Sequence, residues 1–283
     1  MPKNRRLVEI VILSDIHLGT YGCHATELLA YLKSIHPELL ILNGDIIDGW
    51  AFSKNYFPNA HMAVLSELFK MMKKGTRIVY ITGNHDEFLR KYTDMEVGNL
   101  LLTDKYLFQI GGKSHWVFHG DIFDYTTKGS AKIIAKIGGW GYDWLILAGR
   151  AVNWGLKLFG RPKVSLSKKI KNSVKKAVKF ISDFEEKAIE LAIDHRYDCV
   201  ICGHIHQPTD KTVSTAKGSV RYLNTGDWIE NLSWLEYHNG EWKLKFYEDD
   251  HYEKPAIETK NIRANTEAMV LPKELTALNF VKP

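Results

Sequence analysis

The chain has 283 residues, 45% of them hydrophobic and 25% charged, the balance of an ordinary globular protein with a sizeable core. Three cysteines, Cys23, Cys199 and Cys202, exclude a disulfide framework, and the longest greasy stretch, "WLILAG", falls well short of the roughly 18 apolar residues of a membrane-spanning helix. The formal charge is +5, yet residues 128–180 hold 13 lysines and arginines against the single acid Asp143, a local net of +12, so the rest of the chain is net negative.

The basic start, "MPKNRRLVEIVIL", runs directly into Ser14 and Asp15 with no small-residue cleavage site, so it reads as a first strand and not as a signal peptide. "ATELLAYLKSI" then has helical spacing, "ELLILNG" is a second strand, and "HMAVLSELFKMMKKG" is a helix that closes on Lys73, Lys74 and Gly75. "RIVYITG", "HWVFHG", "CVICG" and "VRYLNTG" are further strand-length runs, each followed by a turn signal. In "CVIC" the two cysteines are three apart, which on a strand places them on opposite faces, so they read as buried thiols and not as half of a zinc or redox pair. "SWLEYHNGEWKLKFYE" reads as a hairpin around Asn239 and Gly240. Strands alternating with helices, plus a hairpin, predict an α/β layered domain with mixed sheets. The expected domain spans 1–250, and 251–283 is a polar C-terminal extension without clear periodicity.

The same kinds of residue end these strands. Asp15 and His17 follow the first, Asp45 in "NGDIID" the second, Asn84 and His85 in "GNHD" the third, His119 in "FHGD" the next, and His204 and His206 in "GHIH" the fifth. In open α/β sheets the carboxyl ends of the strands form the ligand-binding edge. Each residue alone reads as a turn, a cap or a satisfied polar group, but the ordered set D-x-H, GD, GNHD, HGD, GHxH gathers Asp15, His17, Asp45, Asn84, His119, His204 and His206 as metal ligands. Four imidazoles, two carboxylates and a carboxamide exceed what one ion can use, whereas two ions sharing a bridging carboxylate use all seven. D-x-H and H-x-H place side chains two apart, so on a strand or its extension they point the same way. Gly44, Gly83, Gly120 and Gly203 beside these ligands suit sharp turns and close backbone approach.

The motifs "SDIHLG", "NGDIID", "GNHD", "FHGD" and "GHIHQP" resemble those of the calcineurin-like metallophosphoesterases, from about Ile10 to Asp227 apart from the basic segment. That resemblance implies a four-layer α/β/β/α sandwich with two divalent ions between the sheets. It assigns Asp15, His17, Asp45 and His206 to one ion and Asp45, Asn84, His119 and His204 to the other, with Asp45 as the bridge. Manganese is the expected ion, and iron or zinc also suits such a donor set. Two cations about 3.5–4 Å apart activate a water and neutralise charge during in-line displacement at phosphorus. His85, beside a ligand but not needed as one, is the candidate for stabilising the phosphoryl transition state or protonating the leaving oxygen. Asp86 is expected to orient the His85 ring or else to cap the turn. Asn84, His85 and Lys128 are the expected substrate contacts.

Residues 128–182 form a basic, aromatic insertion expected to be a helical cap. Ile170, Val174, Ala177, Val178 and Ile181 have amphipathic spacing among lysines, and Trp140, Trp144, Trp154 and Phe159 lie upstream. Such a segment fits an anionic lipid interface or a lid over acyl chains. Helices that merely bury a greasy face on the core are the bland alternative, and nucleic acid is not expected, because the segment has only two arginines and no recognisable binding module. A helical insertion at this point resembles the UDP-2,3-diacylglucosamine pyrophosphatases of lipid A synthesis, although this chain has "GNHD" where those enzymes show "GNRD". The resemblance implies hydrolysis of UDP-2,3-diacylglucosamine, or a related lipid-linked phosphate, in the cytoplasm or at the inner face of the membrane, with no protein partner. The alternatives are a soluble phosphodiesterase or nuclease and a non-catalytic scaffold of the same fold.

Overall fold

The computed structural model describes residues 5–50, 56–126 and 166–252. The chain opens with β1 (Arg6–Leu13), α1 (Ala25–Ser34), β2 (Ile35–Asn43), α2 (Asn59–Lys73) and β3 (Arg77–Ile81), the alternation that the sequence predicts. Five short strands follow in quick succession or across the insertion: β4 (Met95–Val97), β5 (Leu100–Thr103), β6 (Lys105–Ile110), β7 (Lys113–Phe118) and, after α3 (Leu166–Asp194), β8 (Cys199–Cys202). The described chain finishes with β9 (Thr209–Thr215), β10 (Gly218–Asn224), β11 (Ser233–His238) and β12 (Glu241–Phe246).

These strands form two mixed sheets. The first has seven strands in the order β12-β11-β1-β2-β3-β5-β4, with a parallel centre from β1 to β5 and antiparallel pairing at both ends. The second has five, in the order β6-β7-β8-β10-β9, with a parallel centre β7-β8-β10. Strand periodicity sends alternate residues to opposite faces. Ile10, Ile12, Ile41 and Val79 of the first sheet meet Val117, Cys199, Ile201 and Leu223 of the second in one buried core. Val11, Leu13, Leu40 and Leu42 face the other way, onto α1 and α2, whereas Val200, Cys202, Val220 and Tyr222 face α3. The result is the four-layer α/β/β/α sandwich, and each of these fully buried aliphatic side chains contributes about 1.5–3 kcal/mol to holding it.

The local expectations are resolved in the same terms. Cys199 lies in the inter-sheet core and Cys202 under α3, so the two thiols do occupy opposite faces of β8. The β11-β12 hairpin pairs His238 with Glu241 across Asn239 and Gly240, both at positive φ as a two-residue turn requires. Helix α3 keeps Ile181 of its predicted face against the buried cluster but not Val178. Phe180, Phe184, Ala188, Ala192 and Ile193 carry its buried stripe, whereas Val178, expected on the apolar face, is 61% exposed. The stripe is set where the helix meets β8 and β10, and that contact begins at Phe180. Lys128 and the aromatic part of the expected cap lie outside the described residues, as do 253–283. Among the described residues no helix is long and apolar enough to cross a membrane.

Candidate metal centre

The centre is built at the carboxyl edge of both sheets. Past the end of β1 and β2 the two chains stay zipped together: Asp15 N–H donates to the Gly44 carbonyl (3.1 Å), His17 N–H to that of Asp45 (2.9 Å) and Leu18 N–H to that of Ile46 (2.9 Å). Asp15 and His17 therefore face Asp45 and Asp48 across one short ladder. The sequence argument placed D-x-H and H-x-H on extended backbone, but the structure uses a different device. Asp15, His17, Asp45, His204 and His206 all adopt positive φ, between 50° and 68°, where residues with a Cβ are uncommon. Such conformations persist only where surrounding contacts hold them, and they cluster at functional sites.

Six of the seven expected ligands fall in two groups, and His17 also forms a third with Asp48 and His85. Asp15, His17 and His206 present ligand atoms within 4.8 Å of one another, and Asp45, His119 and His204 do the same. Asp45 links them, its Oδ2 lying 3.3 Å from His119 Nε2 and 3.9 Å from His17 Nε2. Gly83 is where the chain must come close: a Cβ there would strike Asp45 Oδ1 and stand 2.6 Å from Asp45 N and 2.9 Å from His119 Cδ2. The next residue, Asn84, has a buried carboxamide oxygen with no hydrogen-bond partner.

Hydrogen bonds behind the ligands fix their aim. His119 Nδ1 donates to the Asn43 carbonyl (2.9 Å), which turns Nε2 toward Asp45. One oxygen of Asp15 accepts from Ser14 Oγ and from the His204 backbone N–H (3.0 Å). The Asn231 amide donates both to Asp227 and to the His206 carbonyl (3.0 Å), and Asp227 also accepts from the Ile229 and Glu230 N–H groups, tying the loop after β10 to His206. Asp227 and Asn231 carried no signal in the sequence beyond a polar turn.

The electrostatics are those of buried opposite charges. Burial alone would push the Asp15 carboxyl up, but His206 and His119 hold it down to about 2. Burial likewise opposes charge on His206, and Asp15 raises its ring to about 9. Asp45 is held far below the carboxylate range by His119, His17 and His85, despite its burial. The residues fit divalent cations for a reason independent of these shifts. Asp15 Oδ1, His17 Nε2, Asn84 Oδ1 and His119 Nε2 are buried without hydrogen-bond partners, Asp15 Oδ1 and His119 Nε2 meeting only the opposite charges of His206 and Asp45, which proteins rarely tolerate. Oxygen and imidazole nitrogen in this mixture suit manganese, iron or zinc.

His85 and its neighbour behave differently from each other. The His85 backbone N–H donates to Asp45 Oδ1 (2.8 Å), while its ring Nδ1 lies 3.1 Å from Asp48 Oδ2 and its Nε2 3.9 Å from Asp45 Oδ2. Burial disfavours a charged His85 ring, but Asp48 and Asp45 outweigh it and raise the pKa above the ordinary imidazole value. Asp48, the second acid of "NGDIID", is thus the carboxylate beside His85, one of the two roles the sequence reading left open for Asp86. Asp86 instead accepts from the Gly83 and Ile46 N–H groups and from Tyr80 Oη (2.7 Å), bracing the two loops from behind. Asp86 thus takes the turn-capping alternative, because successive side chains leave the backbone in different directions and its own does not reach the His85 ring. Trp50, absent from the predicted set, packs its ring 3.9 Å from that of His85 and leaves its other side in solvent.

Comparison with known proteins agrees with this geometry. A family model described as calcineurin-like phosphoesterase matches residues 8–208. A UDP-2,3-diacylglucosamine hydrolase of Aliivibrio fischeri (strain MJ11) is 25% identical over 81% of this chain and 94% of its own length. One of Porphyromonas gingivalis (strain ATCC BAA-308 / W83) is 26% identical over 85% and 98%. The solved structure of Yfce, a phosphoesterase from E. coli, aligns with 88% of this chain and 98% of its own at 16% identity and a TM-score of 0.40. With the family model covering most of the sandwich and every one of its strand-end motifs, the chain belongs to the calcineurin-like phosphoesterase family and is a phosphoester hydrolase.

Proposed function

We propose that the protein hydrolyses the pyrophosphate of UDP-2,3-diacylglucosamine, or of a closely related lipid-linked nucleotide, giving UMP and 2,3-diacylglucosamine 1-phosphate. Water adds to phosphorus, the bridging P–O bond breaks, and the departing sugar phosphate leaves with its oxygen. Asp15, His17, Asp45 and His206 would hold one divalent ion and Asp45, Asn84, His119 and His204 the other, and when bound the pair supplies an activated water and neutralises charge on the phosphoryl oxygens. His85 donates a proton or hydrogen bond to the phosphoryl group, with Asp48, 3.1 Å from its Nδ1, favouring its charged form and holding its aim. Asn84 adds a carboxamide toward the substrate phosphate, and Lys128 a positive charge at the start of the insertion.

The observation that supports a lipid-linked substrate is the course of α3. Phe184 packs beside His204, at the level of the metal centre. The 14 residues from Leu166 to Lys179 precede its buried stripe on the same helix, about 21 Å of helix. Six lysines lie on it, at 168, 169, 171, 175, 176 and 179, and Lys175, Val178 and Lys179 are exposed. A basic helix rising from the edge that holds the phosphate favours an anionic surface, with acyl chains retained by the insertion. The relatives named UDP-2,3-diacylglucosamine hydrolase support the nucleotide half of the assignment.

The test is turnover by manganese-loaded protein of UDP-2,3-diacylglucosamine and of bis-p-nitrophenyl phosphate, with cosedimentation on vesicles with and without anionic lipid. The expected result is UMP release from the lipid nucleotide and binding that requires anionic lipid. Turnover of the soluble diester alone, with no vesicle binding, would establish a soluble phosphodiesterase instead, and turnover of neither would leave a scaffold.

A further inference from the structure

We propose that Phe184 is a positioning residue that seats His119 and His204, so that the helix leaving the insertion sets the geometry of one of the two ion subsites. The inference rests on the reading that Asp45, His119 and His204 hold an ion.

Phe184 belongs to α3, a different layer of the sandwich from the strand ends that carry the ligands, and it is 2% exposed. Its ring centroid lies 6.1 Å from that of His204, tilted by 34°, and the His204 ring in turn meets His119 edge-on at 5.1 Å. Beneath this pair the backbones of both ligand loops are joined, because Gly203 N–H donates to the His119 carbonyl (3.0 Å). Phe184 presses on that junction. A Cβ at Gly120, the residue after His119, would stand 2.5 Å from Phe184 Cζ, so the glycine is there to admit the ring. Phe123 packs edge-on against Phe184 (5.4 Å) and against Phe118 (5.7 Å), and Phe118 is the residue before His119. One α3 side chain therefore meets the residue after the β7 ligand directly, the residue before it through Phe123, and the ring of the ligand that follows β8. Closely packed side chains transmit displacement instead of absorbing it, so a change in how α3 seats reaches the Asp45, His119 and His204 group. Asp15 and His17 come from the loop after β1, whereas His206 follows His204 and Ile205 on the loop after β8, and Ile205 packs in the same buried cluster as Phe184.

Calorimetric titration of the metal-free full chain with manganese, with melting temperature measured in parallel, tests this. The unmodified protein is expected to bind two ions. Phe184→Leu, which keeps apolar bulk and removes the ring, and Phe184→Ala are expected to weaken at least one of the two binding events about tenfold, the scale of losing a ligand's support. Ile189→Ala removes a buried side chain from the same core and is expected to lower the melting temperature with both ion affinities intact. Two unaltered affinities in both Phe184 variants would overturn the inference, as would equal weakening in Ile189→Ala. An unmodified chain binding fewer than two ions would defeat the site reading itself, a distinguishable result.

Discussion

Gly83→Ala isolates the packing of the centre from its chemistry, because it adds one methyl group and removes no ligand. The new Cβ would strike Asp45 Oδ1 and lie 2.6 Å from Asp45 N, where ordinary contact begins at 3.4 Å. Asp45 must then retreat by about 0.8 Å or the Gly83 loop must lift by as much, and His119 Cδ2, 2.9 Å from the same methyl, is displaced with it. A misplacement of about 1 Å costs on the order of 10²-fold in rate, equivalent to about 2.7 kcal/mol of transition-state stabilisation. Overpacking adds about 1–3 kcal/mol of destabilisation. The assay is kcat on bis-p-nitrophenyl phosphate at saturating manganese, read beside metal content and melting temperature. A Gly83→Ala variant with unchanged kcat and two bound ions would refute the claim that Asp45 is held by this close approach.

Three further outcomes follow from particular contacts. Asp48→Asn should lower kcat roughly tenfold to a hundredfold with metal content retained, and adding His85→Ala should lower it little further, because residues acting as one unit are non-additive; multiplicative losses would separate the pair. Glu236 is buried, yet Arg6, Trp234 and Tyr31 hold its carboxyl below its ordinary value. Its ionised form therefore stabilises the fold above the unfolded-state pKa, and that contribution is lost as pH falls through the depressed one. Glu236→Gln should cost about 2 kcal/mol near neutrality, and its deficit in urea melts should shrink toward pH 3; a deficit independent of pH would contradict the assignment. Cys199, pushed up to about 12 by burial, and Cys202, pushed well above the usual thiol value, should resist a thiol reagent at pH 8 until the protein unfolds. Prompt labelling of either would show that β8 is not buried on both faces.

The four-layer architecture was legible because both of its signals are local. Apolar runs buried on both faces, as in β2 and β8, read as central strands, and Asn239-Gly240 announces its hairpin. The ligand set was legible for a similar reason: each motif stands at a strand end, and topology alone brings strand ends to one edge. What escaped depends on backbone direction. The positive φ values at Asp15, His17, Asp45, His204 and His206 are held by tertiary hydrogen bonds, and although Asp and His adopt such φ more readily than most residues, the sequence does not say where. Asp48 was in view within "NGDIID", but its approach to His85 depends on the zipper between the loops after β1 and β2, so the sequence could only leave Asp86 open between orienting His85 and capping the turn. On α3, helical spacing alone could place Val178 with the apolar residues, and only the position of β8 and β10 decides that Phe180 and Phe184 define the buried stripe.

The central claim is that seven side chains from five strand ends jointly hold two divalent cations. A crystal structure of the manganese-loaded protein, with anomalous scattering to identify the metal, tests it most directly. Two peaks about 3.5–4 Å apart, with Asp45 contacting both, His17 and His206 on one and His119 and His204 on the other, are expected. A single peak, or two peaks with Asp45 on neither, would contradict the account.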